Sequence, residues 1–127
     1  MKQLLLLTLL FCTSLFAELS WAKSYDDAFA LAKKEQKDVL LILSQENCQA
    51  CWYMKNIVLD DEQLIEKIEA RYVVVELDIH KDDIHELAYS GTPTLYFLSS
   101  DKKVIKRLNG VYNIKELSSM LLKLEDQ

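Results

Sequence analysis

The chain has 127 residues, 50% of them hydrophobic and 28% charged, which suits one globular domain. Lys and Arg number 15 against 20 Asp and Glu, a net charge of −5 with no basic block, so binding to nucleic acid through phosphate neutralisation is not expected. Two glycines and one proline exclude collagen-like or low-complexity composition, and three cysteines are too few for a disulfide-stapled miniprotein.

Met1-Lys2-Gln3 is a short positive start, and Leu4 to Phe16 is an apolar stretch broken only by Thr8, Cys12, Thr13 and Ser14. Small residues follow at Ala17, Ser20 and Ala22. This is the three-part pattern of a secretory signal peptide, and it falls short of the ~20 apolar residues a membrane-spanning helix needs. The expected division is a signal peptide over residues 1–22 and one domain over 23–127, with cleavage after Ala17 or Ala22. Ala22 is slightly preferred, because Ser20 and Ala22 then fill both small-residue positions, whereas Ala17 leaves the bulkier Leu15 at one of them. An uncleaved anchor is the alternative; a lipoprotein would use Cys12, but Phe11 before it is too bulky. Removing the leader deletes Cys12 and implies a periplasmic or secreted location, where disulfides persist.

Ser24 is a good N-cap for a helix with Asp26 and Asp27 in its first turn, apolar Ala28, Phe29, Leu31 and Ala32, and a lysine-rich end. Val39 to Leu43 is a continuous apolar run of strand length, which predicts a strand buried on both faces. Ser44 to Asn47 breaks it, and Cys48-Gln49-Ala50-Cys51 opens a helical stretch to Leu59 with Ala50, Met54, Ile57 and Val58 at helical spacing. Asp60-Asp61 caps a further helix carrying Leu64, Ile65 and Ile68. Tyr72 to Ile79 reads as a strand, Asp83 to Tyr89 as a short helix, Ser90 to Pro93 as a turn and Thr94 to Leu98 as a strand. A hairpin turn over Ser99–Lys102 leads to a strand over Lys103–Leu108, and Asn113 caps a final helix with Ile114, Leu117, Leu121, Leu122 and Leu124. Alternating strands and helices, then a hairpin and a closing helix, predict an α/β domain with a mixed sheet and helices on both faces.

A strand, a short loop, CxxC and a helix place Cys48 at a helix N-terminus, where unpaired N–H groups and the macrodipole favour a thiolate. Cys51 lies one turn in, more deeply buried and within disulfide reach. Cys48 is thus the attacking or attacked sulfur, and Cys51 resolves the mixed disulfide.

With these pieces the sequence resembles the thioredoxin-like superfamily over about residues 24–125. The resemblance rests on Cys48-Gln49-Ala50-Cys51 after a buried strand, Gly91-Thr92-Pro93-Thr94 before the next, the hairpin Leu95–Leu108, then Gly110 and an amphipathic helix. The lysine-terminated opening helix and Met54-Lys55 after the CxxC look like the secreted bacterial branch of thiol–disulfide oxidoreductases. The resemblance implies a thioredoxin-like fold, with a central mixed β-sheet flanked by helices. It also implies that Pro93 is cis and faces the cysteines, with Thr92 before it, the two forming the substrate-binding edge where a client chain pairs as an added strand. On base rate alone a sole proline at a turn is trans.

Four departures from the thioredoxin pattern stand out. Asn47 replaces a tryptophan, and Gln49-Ala50 brings neither proline nor histidine between the cysteines. Ile42 stands six residues before Cys48, where thioredoxins bury an acid that assists proton transfer, and Thr92 replaces a bulkier aliphatic residue. Glu76 is a possible substitute for the missing acid, with a solvated strand-edge carboxylate as the blander reading. Glu46, two residues before Cys48, would oppose a thiolate near it.

Trp52 after the second cysteine excludes a c-type haem site, and two cysteines do not close a zinc site, so neither cofactor nor metal is expected. His80 and His85 read as surface residues, Trp52 and Tyr53 as core or helix surface, and Tyr96 and Phe97 as core. Three functions remain open. The first is an extracytoplasmic oxidoreductase exchanging protein or small-molecule disulfides, with reductant preferred, expected to be monomeric and supplied with electrons by a membrane-bound reductase. The others are a disulfide-linked chaperone or binding module, and a Cu(I)-handling protein using two soft thiolates.

Overall fold

The computed structural model describes residues 18–126; the signal-peptide reading of residues 1–17, with Cys12, lies outside them. Helix α1 (Tyr25–Glu35) is followed by β1 (Asp38–Ser44), α2 (Gln49–Tyr53), a π-helical segment (Met54–Val58), α3 (Glu62–Arg71), β2 (Tyr72–Asp78), β3 (Thr94–Leu98), β4 (Val104–Asn109) and α4 (Ile114–Glu125). The predicted caps form: Ser24, Asp61 and Asn113 side chains accept the backbone N–H groups of Asp27, Leu64 and Glu116.

The sheet order is β2-β1-β3-β4, with β1 parallel to β2 and antiparallel to β3, and β3 antiparallel to β4. This is the mixed sheet expected. Central β1 is covered on both faces, which is why Val39 to Leu43 is apolar without alternation. Val39, Leu41 and Leu43 pack with Val73, Val75, Tyr96 and Leu98 under Ala28, Phe29 and Ala32 of α1. Leu40 and Ile42 point the other way, into a core with Phe97 of β3 and with Met54, Val58, Leu64, Ile68 and Leu117 from the remaining helical segments. Each fully buried side chain of this kind stabilises the fold by roughly 1.5–3 kcal/mol.

The structure corrects two sequence expectations. The helix expected over Asp83–Tyr89 does not form; the segment is irregular, with one turn at His85–Glu86. Asp83 Oδ1 accepts the N–H of His85 at 2.8 Å, and His85 and Glu86 take left-handed φ of 52° and 61°. The short acid side chain thus outcompetes a helical turn, and the His85 ring stacks on Tyr25 with centroids 3.6 Å apart. The helix after the cysteines is also not uniform. It widens to π geometry from Met54, closing with Leu59 N–H on Met54 O at 2.8 Å.

Residues 19–22 run along the outer edge of β2. Leu19 is buried in the core beside α3 and α4 residues, Trp21 bridges Val74 in parallel, and Ala22 N–H donates to Val74 O at 2.7 Å.

Candidate active site

The end of β1 delivers the chain to the CxxC. Asn47 takes a left-handed φ of 56°, a conformation asparagine tolerates, and turns the backbone into α2. Cys48 occupies the N-cap, where its Sγ accepts the N–H of Cys51 at 3.1 Å. Cys48 and Cys51 are joined by a disulfide with Cα atoms 5.2 Å apart. The two sulfurs differ in access: Cys51 is only 3% exposed, whereas Cys48 is half-buried and lines a surface cleft with Gln45, Asn47, Trp52 and Lys55.

The Thr92–Pro93 bond is cis and precedes β3, so the turn expected to face the cysteines does so. Thr92 Oγ1 lies 3.4 Å from Cys48 Sγ, and the Thr92 carbonyl oxygen 3.6 Å from the same sulfur. Buried Pro93 is held from behind: its carbonyl accepts the N–H of Gly110 at 2.9 Å. Gly110 has a φ of +84°, where a side chain would be strained.

Three polar residues that the sequence reading left unused reach this site. Gln45 Nε2 donates to Thr92 Oγ1 at 2.8 Å, and Gln45 Oε1 meets His80 Nε2 at 3.1 Å. Lys81 pairs with Glu46, and that hydrogen bond, with the carboxylate's charge behind it, pushes the Lys81 pKa up. His80 and Lys81 stand in the loop after β2, where Asp78 Oδ1 accepts their backbone N–H groups at 2.8 and 3.1 Å. The available signal was the strand pairing. Parallel β1 and β2 align Ser44 with Asp78, so the loops leaving them emerge at the same end of the sheet.

Glu76 pairs across from Ile42, accepts a hydrogen bond from Ser44 Oγ at 3.0 Å and forms an ion pair with Lys55 at 2.7 Å. It is therefore engaged by two partners, one of them, Lys55, a turn beyond Cys51 in the π-helical segment. Trp52 and Tyr53 are on the helix surface, and Tyr96 and Phe97 are in the core.

A CxxC disulfide joins one shielded and one half-buried cysteine at the head of a helix and beside a cis-proline turn, an arrangement with the chemistry for thiol–disulfide exchange. The chain belongs to the thioredoxin-like family: residues 25–125 match the thioredoxin-like domain. Among solved structures it is similar to a thioredoxin from Thermus thermophilus, with TM-score 0.74 and 30% identity, covering 84% of this chain and 87% of that one. It shares its fold with a disulphide isomerase from Xylella fastidiosa Temecula1, with TM-score 0.64 and 21% identity over 79% of this chain and 87% of that one. Anterior gradient protein 3 of Xenopus tropicalis is 22% identical over 98 residues, which is 76% of this chain and 59% of that protein. The chain thus matches less than two thirds of that relative's length.

Proposed function

We propose that this protein is an extracytoplasmic thiol–disulfide oxidoreductase working as a reductant, with Cys48 as the attacking thiol and Cys51 as the resolving one. The observation that carries this reading is the unequal exposure of two bonded sulfurs at a helix N-terminus. The Cys48 thiolate attacks one sulfur of a substrate disulfide, and the other leaves as a thiolate that takes up a proton. Cys51 then loses its proton and attacks Cys48 Sγ, which expels the second substrate thiolate. Two electrons and two protons pass to the substrate, and the enzyme disulfide is left behind.

A substrate chain that bonds to Cys48 lies beside the Thr92 backbone, whose carbonyl is 3.6 Å from the sulfur. Thr92 and Pro93 are therefore the residues we assign to substrate pairing. The reductant direction is favoured because Gln49 and Ala50 bring no cation to the thiolate, and Lys55 in the cleft is occupied by Glu76. The disulfide formed must be reduced again outside the cytoplasm, which calls for a membrane-bound electron donor. Export rests on the N-terminal signal pattern, and the packing of Leu19, Trp21 and Ala22 supports cleavage after Ala17 rather than the Ala22 site that small residues alone favour.

Dithiothreitol-driven reduction of insulin tests the activity, with turnover expected and lost in Cys48→Ser. Expressing Cys51→Ser in the native compartment and identifying the trapped mixed disulfide names the partner. Absence of turnover, or turnover that survives Cys48→Ser, would sink the reading.

A further inference from the structure

Thr92 has a single hydroxyl proton, and what it does is decided by its other neighbour. Gln45 presents an amide N–H to Thr92 Oγ1 at 2.8 Å. An oxygen that already accepts that bond is free to give its own proton elsewhere, and Cys48 Sγ stands 3.4 Å away. Gln45 is held in this sense at its far end. Gln45 Oε1 can only accept, so its 3.1 Å contact with His80 Nε2 requires the tautomer with the proton on Nε2, and that bond turns the amide nitrogen toward Thr92. The His80 backbone is fixed in turn by Asp78, whose carboxylate accepts its N–H at 2.8 Å. All three bonds run the same way: His80 to Gln45, Gln45 to Thr92, Thr92 to Cys48. Donors aligned head to tail polarise one another, and the last faces the sulfur on which negative charge appears.

We propose that Gln45 and His80 are positioning residues that aim the Thr92 hydroxyl at Cys48 and so stabilise its thiolate, making the disulfide easier to reduce. The proposal rests on the reading of Cys48 as the exchanging sulfur. The sequence between the cysteines supplies no such stabilisation; it comes from two loops, after β1 and after β2, that meet only in the fold. A hydrogen bond to a charged acceptor is among the stronger kinds, and a sulfur acceptor at this distance takes the lower part of that range.

The experiment is a glutathione redox titration of the full mature protein and of Thr92→Val, Gln45→Leu, the double variant, His80→Phe and Thr92→Ser. The alkylation rate of Cys48 is followed against pH in each. Thr92→Val is expected to shift the equilibrium with glutathione about tenfold toward the disulfide, about 30 mV for a two-electron couple, and to raise the pH midpoint of alkylation by about one unit. Gln45→Leu and His80→Phe should shift both in the same direction by less, and Gln45→Leu should add nothing once Thr92 is valine. Thr92→Ser, which keeps the hydroxyl, should restore the wild-type potential.

An unchanged potential in Thr92→Val overturns the inference. So does a Gln45→Leu effect that persists undiminished in the valine background, since it would not pass through the hydroxyl. An unchanged His80→Phe removes His80 from the chain. A wild-type protein that does not equilibrate with glutathione at all would instead overturn the underlying oxidoreductase assignment.

Discussion

The ammonium of Lys81, in the loop after β2, sits on the carboxylate of Glu46, two residues before Cys48. Glu46 taken alone would repel a thiolate at Cys48; paired, it contributes little field. Removing the partner restores the repulsion. Both side chains are largely exposed, 61% and 68%, so water and salt screen the effect. Lys81→Met is therefore expected to raise the pH midpoint of Cys48 alkylation by about 0.2–0.5 units at low salt, and by less in 0.5 M salt. A shift that salt does not reduce would mean the lysine acts by something other than charge.

The unequal burial of the two sulfurs predicts unequal chemistry. In the reduced protein Cys48 should alkylate quickly, while Cys51, 3% exposed, should react slowly until the protein is denatured. Cys48→Ser should abolish exchange, and Cys51→Ser should leave a long-lived mixed disulfide. Mass spectrometry after brief iodoacetamide treatment decides it; label on Cys51 first would reverse the assignment.

The redox poise follows from what faces Cys48. It receives one helix N–H, from Cys51, and one hydroxyl, from Thr92, but the CxxC itself carries no histidine. Helix-terminus stabilisation is typically about 0.3–1 kcal/mol, and up to ~2 when partly buried. The couple is expected nearer thioredoxin, at about −270 mV, than the strongest periplasmic oxidant at about −120 mV. A measured potential above about −150 mV would replace the reductant with an oxidase or isomerase.

Local rules carried most of the fold. Ser24, Asp61 and Asn113 cap their helices because a side-chain oxygen can reach an unpaired N–H three residues on, and that spacing is visible in the chain. Val39 to Leu43 announces its central place by lacking alternation. The Cys48–Cys51 pair was equally legible because its chemistry and its helix lie within four residues. Gln45, His80 and Lys81 were not, because their roles depend on the pairing of β1 with β2 rather than on neighbours in sequence. The helix expected at Asp83–Tyr89 failed partly for a local reason, the Asp83 carboxylate on the His85 N–H, and partly for a related one, since the stacking of His85 on Tyr25 is a long-range contact.

Asp38 opens β1 opposite Tyr72, and burial pushes its carboxyl pKa up, with the Arg71 guanidinium pulling weakly the other way. An acid whose folded pKa is raised binds its proton more readily folded than unfolded. Its contribution to stability is therefore present below the unfolded value, about 3.9, and is lost as pH rises through the folded value. At pH 7 the ionised carboxylate is a net cost. Asp38→Asn should raise the urea midpoint slightly at pH 7 and leave it nearly unchanged at pH 3. A lower midpoint at pH 7 would show that attraction to Arg71 outweighs burial.

The packing of residues 19–22 supports the proposed cleavage after Ala17. Leu19 is 8% exposed within the core, and the Ala22 N–H is bonded to Val74 O at 2.7 Å. Ser20 N–H also donates to Glu69 Oε1 at 2.6 Å. A chain starting at Lys23 forfeits all of these. Losing a buried leucine costs about 1.5–3 kcal/mol and a backbone hydrogen bond about 0.5–1.5, so a protein made from Lys23 should be about 2–4.5 kcal/mol less stable than one made from Glu18. Urea denaturation of the two proteins measures the difference. Intact mass of the exported protein should correspondingly give Glu18 as the first residue. Equal stabilities, with an exported chain that begins at Lys23, would show that the β2-edge segment is dispensable and that the small residues at Ser20 and Ala22 direct cleavage.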